Sequence, residues 1–374
     1  MDLMIREVLT PRDLKAFVEF PFKLYKDNPY WLPPLLEDEY NTLRRDKNPA
    51  FEHCQARYWL AERNGKVVGR IAAIYNPLHV EKWKQPYLRF GWLDMVDDPA
   101  VSEALFKTVE DWAREMNLTA VHGPLGFTDM DKEGMLIDGF EEMGTMPTIY
   151  NYPYYPREMD RLGYVKDVDW FEYQMEIPSK VAPEFDRGTA LVLERHNLQM
   201  LNAKSKKELL PYVPQLFGLI DSEYSHLYST VPLTEAQVKV YTKQYFDFID
   251  PDFVAMILDE HDTLVGFAIA MPSLSKALKK ANGRLFPFGF LYLLSALRKN
   301  DRADLYLIAV RSDYQKKGAH LPMMTQIWHT TSKWGIHIVD ACPELESNLA
   351  VRTLWKHFKS RQNRKRRCYI KHLS

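Results

Sequence analysis

Apolar positions along this chain fall into the same order twice. Residues 58–74 alternate as a strand, a turn at Asn64 and Gly65, and a second strand. Residues 253–271 repeat the form, and Val68-Gly69 and Val265-Gly266 sit just after the turn in each copy. A helix-forming stretch precedes each hairpin, with Thr10 and Ser205 in N-cap positions and Pro11 suited to a first helical turn. Each hairpin is followed by a strand (90–95; 304–310), a helix (99–116; 321–334) and a short strand (120–122; 336–340). In the first of those helices Ala104, Leu105, Val109, Trp112 and Ala113 share one face, which predicts a helix packed on a sheet. A repeat of this length predicts a duplicated domain rather than a solenoid. The expected division is 1–177, a linker at 178–197 where Pro178, Pro183 and Gly188 cluster, and 198–374.

Composition narrows the function. A chain of 374 residues has room for two cores, and a net charge of −1 argues against general nucleic-acid binding. The three cysteines, Cys54, Cys342 and Cys368, lack metal-type spacing, so no metal site and reduced, cytoplasmic thiols are expected. The first residues carry an early acid and no apolar signal core. The longest apolar tract, 285–297, is short for a membrane span and is broken by Pro287 and Gly289. It reads as a buried or cleft-lining segment, and no membrane partner is expected.

The chemistry concentrates after the strand at 304–310. A basic turn with one glycine, Gln315, Lys316, Lys317, Gly318, Ala319 and His320, opens a helix, and backbone N–H groups at a helix N-terminus beside two lysines suit a pyrophosphate. Gln315 to His320 resembles the Gln/Arg-x-x-Gly-x-Gly/Ala signature of the GNAT acyltransferase superfamily, and Val310, Asp313 and Tyr314 resemble the segment that leads into it. The order of elements is also similar to that superfamily in both halves. The resemblance implies an α/β fold with a mixed α+β sheet, built as two GNAT-like acyl-CoA N-acyltransferase domains in tandem. It further implies acetyl-CoA or another acyl-CoA as donor, and a small-molecule or peptide amine as acceptor. Backbone groups of Ile308, Ala309 and Val310 would polarise the thioester carbonyl. Asn348 would meet the cofactor arm, since Glu346, Ser347 and Asn348 resemble the family's lead into its last helix. Two positions depart from the pattern: His320 stands where the family has Gly or Ala, and Trp355 where it has an acidic tyrosine.

For the proton acceptor the residues leave Asp304, Asp340, Glu344 and Glu346 open, with Asp340 and Glu346 preferred and Tyr306 as the substitute acid. The first copy's counterpart of the phosphate turn, residues 96–100, has no glycine and carries Asp97 and Asp98, which would repel a phosphate. That copy instead holds a loop rich in glycine and carboxylate, from which Asp129 and Asp131 are candidate substrate contacts together with Asn151, Tyr154 and Tyr155. Gly123, Pro124, Phe127 and Asp129, with Tyr150, Asn151, Tyr154 and Tyr155, also resemble motifs of an uncharacterised bacterial group with tandem GNAT-like halves. The arginine-rich end, 361–371, is expected to form a final hairpin with its arginines in the turn, on a solvated edge. Two rival readings are weighed. One is a Fem-type aminoacyl transferase, whose tRNA would contact that basic end. The other is a non-catalytic GNAT-fold ligand-binding protein.

Overall fold

In the computed structural model, which describes residues 3–246, 248–348, 355 and 358–374, the repeat becomes two wings of one continuous sheet. The first wing begins with β1 (Leu3–Glu7), α1 (Pro11–Leu24) and α2 (Leu36–Leu43). Thr10 caps α1 through a reciprocal box: its hydroxyl accepts from Asp13 N at 3.2 Å, and the Asp13 carboxylate accepts from Thr10 N at 3.0 Å. The hairpin of β2 (Gln55–Arg63) and β3 (Lys66–Tyr75) turns at Asn64 and Gly65, with φ of 53° and 70°. Both lie in the left-handed region, which asparagine tolerates and glycine adopts without strain. There follow α3 (Pro77–Trp83), β4 (Tyr87–Met95), α4 (Pro99–Glu115), β5 (Ala120–Gly123), β6 (Met135–Asp138), α5 (Tyr154–Arg161) and β7 (Val165–Glu176). The expected face of α4 is buried: Leu105, Val109, Trp112 and Ala113 join Ile71, Leu88 and Phe90 of the sheet in one core.

The second wing contains α6 (Pro183–Arg195), within the stretch expected to link the halves, then β8 (Gln199–Met200), α7 (Lys206–Leu209), α8 (Val213–Tyr224) and α9 (Glu235–Phe246). Its hairpin is β9 (Val254–Leu258) and β10 (Leu264–Pro272), followed by α10 (Ser275–Ala281), α11 (Gly289–Arg298) and β11 (Arg302–Val310). The chain ends with α12 (Ser312–Gln315), α13 (His320–Lys333), β12 (Ile338–Ala341), β13 (Glu344–Leu345) and β14 (Lys359–His372). Ser205 stands at the N-cap position of α7 as expected, but its hydroxyl donates to the Glu208 carboxylate at 2.8 Å and makes no capping bond to the helix backbone.

Strand order shows how the wings are joined: β1-β2-β3-β4-β5-β14-β7-β12-β11-β10-β9-β8. The last strand of each half sits beside the other half. Strand β7 pairs with β12 of the second wing, and β14 returns to pair with β5 of the first, so the centre of the sheet is the β14–β7 pair. This overturns the expected C-terminal hairpin. Residues 359–372 form one strand with neighbours on both sides, and its arginines lie within it. Arg364 and Arg366 are buried on the fully buried Glu172 of β7, Arg367 pairs with Asp169, and Arg361 reaches Glu142. Positive charge that looked available to a polyanion is therefore largely neutralised inside the sheet seam. The apolar tract is likewise not buried as expected, since Phe286, Phe288 and Leu291 project from the surface. No helix among the described residues is long and apolar enough to cross a membrane.

Candidate functional site

Strands β11 and β12 run parallel and pair only from Arg302/Ile338 to Leu305/Ala341. Beyond Leu305, β11 continues to Val310 while β12 has ended, so the strands part. The opening leads into a cavity of ≈340 Å³, within the size range of small-molecule sites. Its deep wall is aliphatic and aromatic, with Leu216, Phe217 and Ile220 from α8 facing Met256 and Ile269 of the sheet. Tyr306 and Ile308 of β11 form one side. The opposite side comes from the first half: Asp129, Asp131 and Glu133, with Trp170 of β7. A second space of ≈880 Å³ shares Asp129, Phe217, Ile220 and Tyr224 with it, so the cavity continues beneath α8 and α9.

Several expected residues meet here. Tyr306, Ile308, Asp129, Asp131 and Asn348 all line the cavity, although they come from distant parts of the chain. The Tyr306 hydroxyl donates to Asp304 Oδ2 at 3.4 Å, and that of Tyr224 to the Ile308 carbonyl at 3.0 Å. Asp304 is fully buried, and its carboxyl is pushed up to about 7, first by burial and then by neighbouring Asp340. The carboxylates differ in what they are committed to. Asp131 accepts from the backbone N–H groups of Phe127 at 2.8 Å and Thr128 at 3.3 Å and so holds its own loop; burial pushes it up to about 6. Burial raises Asp129 as well, and one of its oxygens has no hydrogen-bond partner among the described residues. Glu133 is pushed well above the carboxylate range by burial and by the charges of Asp129 and Asp131. Buried Arg89 braces this loop, donating to the Gly126 carbonyl at 3.0 Å and to the Ser229 carbonyl at 2.8 Å across the two halves.

Other expected residues are placed elsewhere. Asp340 accepts from Gln174 at 3.1 Å and Asn363 at 3.2 Å, and is not in the cavity wall. Glu346 accepts from Asp169 N at 3.2 Å and pairs with Lys166 at 2.7 Å, which ties it to β7. Asn151 accepts from Leu136 N at 2.7 Å and donates to its carbonyl at 2.9 Å, acting as a strand partner for β6. Tyr154 donates to the Met95 carbonyl at 2.6 Å, and Tyr155 takes Met95 N at 2.8 Å within a network with Tyr25 and Asp94. Asn151 and Tyr155 reach a second cavity of ≈170 Å³ in the first half. Trp355 stands in the cavity wall with its indole N–H donated to Glu344 Oε1 at 2.6 Å, so it holds a carboxylate in place of offering an acidic hydroxyl. Sequence reading gave Glu133 no separate role, and it missed Tyr224, Tyr241 and Tyr245, whose helices carry no motif.

The basic turn sits at the far end of β11. Gln315 donates to the Val310 carbonyl and to Glu223 of α8, both at 3.0 Å, which fixes the turn against the cavity helix. Gly318 has φ of +76°, a conformation that a side chain strains, and it lets the chain swing from α12 into α13. Lys316 and Lys317 are exposed beside it. In the first half the matching place is filled by protein: Asp98 caps α4 by accepting from Ala100 N at 3.0 Å and pairs with Arg63. His122, Asp167 and Cys368 also converge, their ligand-type atoms within 4.8 Å of one another, but the Tyr228 hydroxyl lies among them. It is 3.1 Å from His122 Nδ1 and 3.3 Å from Cys368 Sγ, and it donates to Asp167.

The chain matches no family model. It is 30% identical to protein YghO of Escherichia coli over 315 residues, 83% of this chain and 80% of that protein. It is 27% identical over 361 residues to a bacterial ceramide synthase of Caulobacter vibrioides, 94% of this chain and 92% of that one. Among solved structures, a tandem GNAT protein from the clavulanic acid biosynthesis pathway superposes with a TM-score of 0.57 at 11% identity, covering 99% of this chain and 98% of its own. At that identity the likeness concerns the fold: the architecture is that of a tandem GNAT protein.

Proposed function

Since the chain belongs to the family of Escherichia coli YghO, and Caulobacter ceramide synthase is a second full-length relative, we propose that it is an acyl-CoA-dependent N-acyltransferase acting on a long-chain amine. The observation that carries this reading is the cavity where β11 outruns β12, with an aliphatic and aromatic wall from α8 and the second half's sheet and with Asp129, Asp131 and Glu133 on the first half's side. The basic turn around Lys316, Lys317 and Gly318 would take the coenzyme A phosphates at one end of β11, and the acyl chain would enter the apolar wall below α8. Asp129 and Glu133 would receive the ammonium of the acceptor.

In this scheme the amine nitrogen attacks the thioester carbonyl carbon, the C–S bond breaks, and an amide and coenzyme A thiol result. The amine's proton passes to a carboxylate. Glu133 and Asp129 are the carboxyl groups assigned to that role because both line the cavity and burial raises the proton affinity of each. Tyr306, in the cavity wall, is proposed to protonate the departing thiolate. A ceramide is the amide of a fatty acid with a long-chain amino alcohol, and the ≈340 Å³ and ≈880 Å³ spaces suit such chains better than an acetyl group needs.

The test is calorimetric titration with acetyl-, octanoyl- and palmitoyl-CoA, followed by turnover with a long-chain amino alcohol read as amide by mass spectrometry. Palmitoyl-CoA should bind in the micromolar range, and a Lys316→Glu, Lys317→Glu double variant should weaken all three donors. Gly318→Glu is a poorer probe because its strain at positive φ is confounded with its charge. Absence of binding by every acyl-CoA would sink the reading.

A further inference from the structure

The connection from β10 to β11 spans residues 273–301, whereas its counterpart from β3 to β4 spans only 76–86. The extra length in the second half is α10, the 282–288 segment and α11. These helices pack on each other through Leu274, Leu278 and Leu293, which share a core with Leu32 and Leu35 of the first half. A surface helix anchored in this way ordinarily turns polar residues outward. Here the outward side is apolar as well: Phe286 is 77% exposed, Phe288 65%, Leu291 49%, Leu294 45% and Tyr292 44%. A contiguous patch of this kind marks a surface that meets something other than water.

Charge around the patch identifies the partner. Residues 276–302 contain seven lysines and arginines against one acid, Asp301. Asp301 is taken by Lys276 at 2.9 Å. Lys280, Arg284, Arg298 and Lys299 are exposed and make no ion pair among the described residues. Exposed aromatic and aliphatic side chains flanked along the chain by Lys280 and Arg284 on one side and Arg298 and Lys299 on the other match the interface of an anionic bilayer, where the rings enter the headgroup region and the cations meet lipid phosphates. A second copy of this chain would have to bring matching acids to the same cations.

We propose that α11 and the loop before it dock the protein peripherally on an anionic phospholipid membrane. The position is suggestive of use: Leu278 of α10 lines the ≈170 Å³ cavity, which shares Met130, Asp131, Pro147 and Tyr245 with the ≈340 Å³ site. A bilayer-held amphiphile would thus be presented to the same wall of the protein. Docking does not require the acyltransferase reading, and it requires no membrane-crossing helix.

The experiment is flotation of the full chain with vesicles of phosphatidylglycerol and phosphatidylethanolamine, against vesicles of phosphatidylcholine alone, with sedimentation velocity of the lipid-free protein beside it. Two variants are compared, Phe286→Ser with Phe288→Ser, and Arg284→Gln with Arg298→Gln and Lys299→Gln; all five side chains are exposed, so melting temperatures should not change. Wild type should float with anionic vesicles only, and removing three cations should lower the partition coefficient on the order of a hundredfold. The phenylalanine variant should lose flotation while keeping acyl-CoA binding. If wild type fails to float, or floats equally after either set of substitutions, the proposal is wrong. It is equally overturned if wild type is a dimer that the phenylalanine variant dissolves without any vesicle binding having been present.

Discussion

Glu172→Gln tests the seam on which the two wings depend. Glu172 is completely buried and accepts from Arg364 Nε at 2.7 Å and from Arg366 Nε at 2.5 Å, and the two arginines are themselves buried. Both arginines also reach first-half carbonyls, those of Met143 and Ile149, so one carboxylate holds β14, β7 and the 143–149 segment together. Glutamine keeps the shape but removes the negative charge that both guanidiniums share, and its amide oxygen replaces only one of the two accepting carboxylate oxygens. Breaking such a buried pair costs about 3–5 kcal/mol. At about 2.1 cal/mol/K per residue, the 374-residue chain unfolds with an entropy of about 0.8 kcal/mol/K, so a single cooperative transition should fall by about 4–6 °C.

Calorimetry reads both the shift and the cooperativity. If the seam is what couples the wings, the variant's endotherm should also broaden or split. The pH dependence gives an independent sign. Burial works to raise the Glu172 carboxyl, but the two arginines outweigh it and hold it below the ordinary glutamate value. A depressed native value means stability that is present above the unfolded pKa and lost as pH falls through the native one. Wild type should therefore lose more stability than the glutamine variant on acidification below about pH 4. A melting shift under about 1 °C with an unchanged acid limb would refute the reasoning.

Asp304 has the opposite sign: its native carboxyl near 7 lies above the model-peptide value of 3.8, so stability falls as pH rises from about 4 to about 7, by at most about 4 kcal/mol. Urea titrations should show that slope in wild type and lose it in Asp304→Asn. Ile220→Phe, which fills space common to both large cavities, should reduce kcat/KM for palmitoyl-CoA on the order of tenfold while sparing acetyl-CoA, as steady-state kinetics would show. Glu133→Gln should lower kcat on the order of a hundredfold and leave acyl-CoA affinity unchanged by calorimetry, as expected of a proton acceptor on the amine side. The buried thiols of Cys54 and Cys368 should resist a disulfide reagent in the native state and react fast in denaturant, because burial pushes Cys54 up to about 12 and raises Cys368 strongly.

What could be read from the residues was whatever physics fixes locally. Asn64-Gly65 needs a left-handed turn, Thr10 with Asp13 makes a cap, and the apolar face of α4 repeats at helical spacing, so the order of elements in both halves was legible. The strand exchange was not, because its signal is non-local. Strand β14 has few apolar residues at its first inward positions, and what makes Arg364 and Arg366 burial-competent is Glu172, 192 and 194 residues away. Without that partner, a run of arginines reads as a solvated edge. The α11 tract failed for the converse reason: apolar composition implies a non-aqueous neighbour but not that the neighbour belongs to the same chain.

These two non-local features also bear on the site. Strand β7 brings Trp170 to the cavity wall and, two residues on, Glu172 to the clamp, so side chains on the same face of one strand serve both. The carboxylates that would meet an amine come from the first half and the strand that would hold the thioester comes from the second. A duplicated fold joined by a flexible linker would leave their spacing to chance. Exchanging the last strands fixes that spacing through the sheet's own hydrogen bonds, and burying an ion pair at the exchange makes a slipped register costly, since a shift of one residue would turn both guanidiniums to the other face. Loss of the Glu172 clamp should therefore weaken catalysis by the assembled site more than it weakens acyl-CoA binding, which the proposed route assigns to the second half.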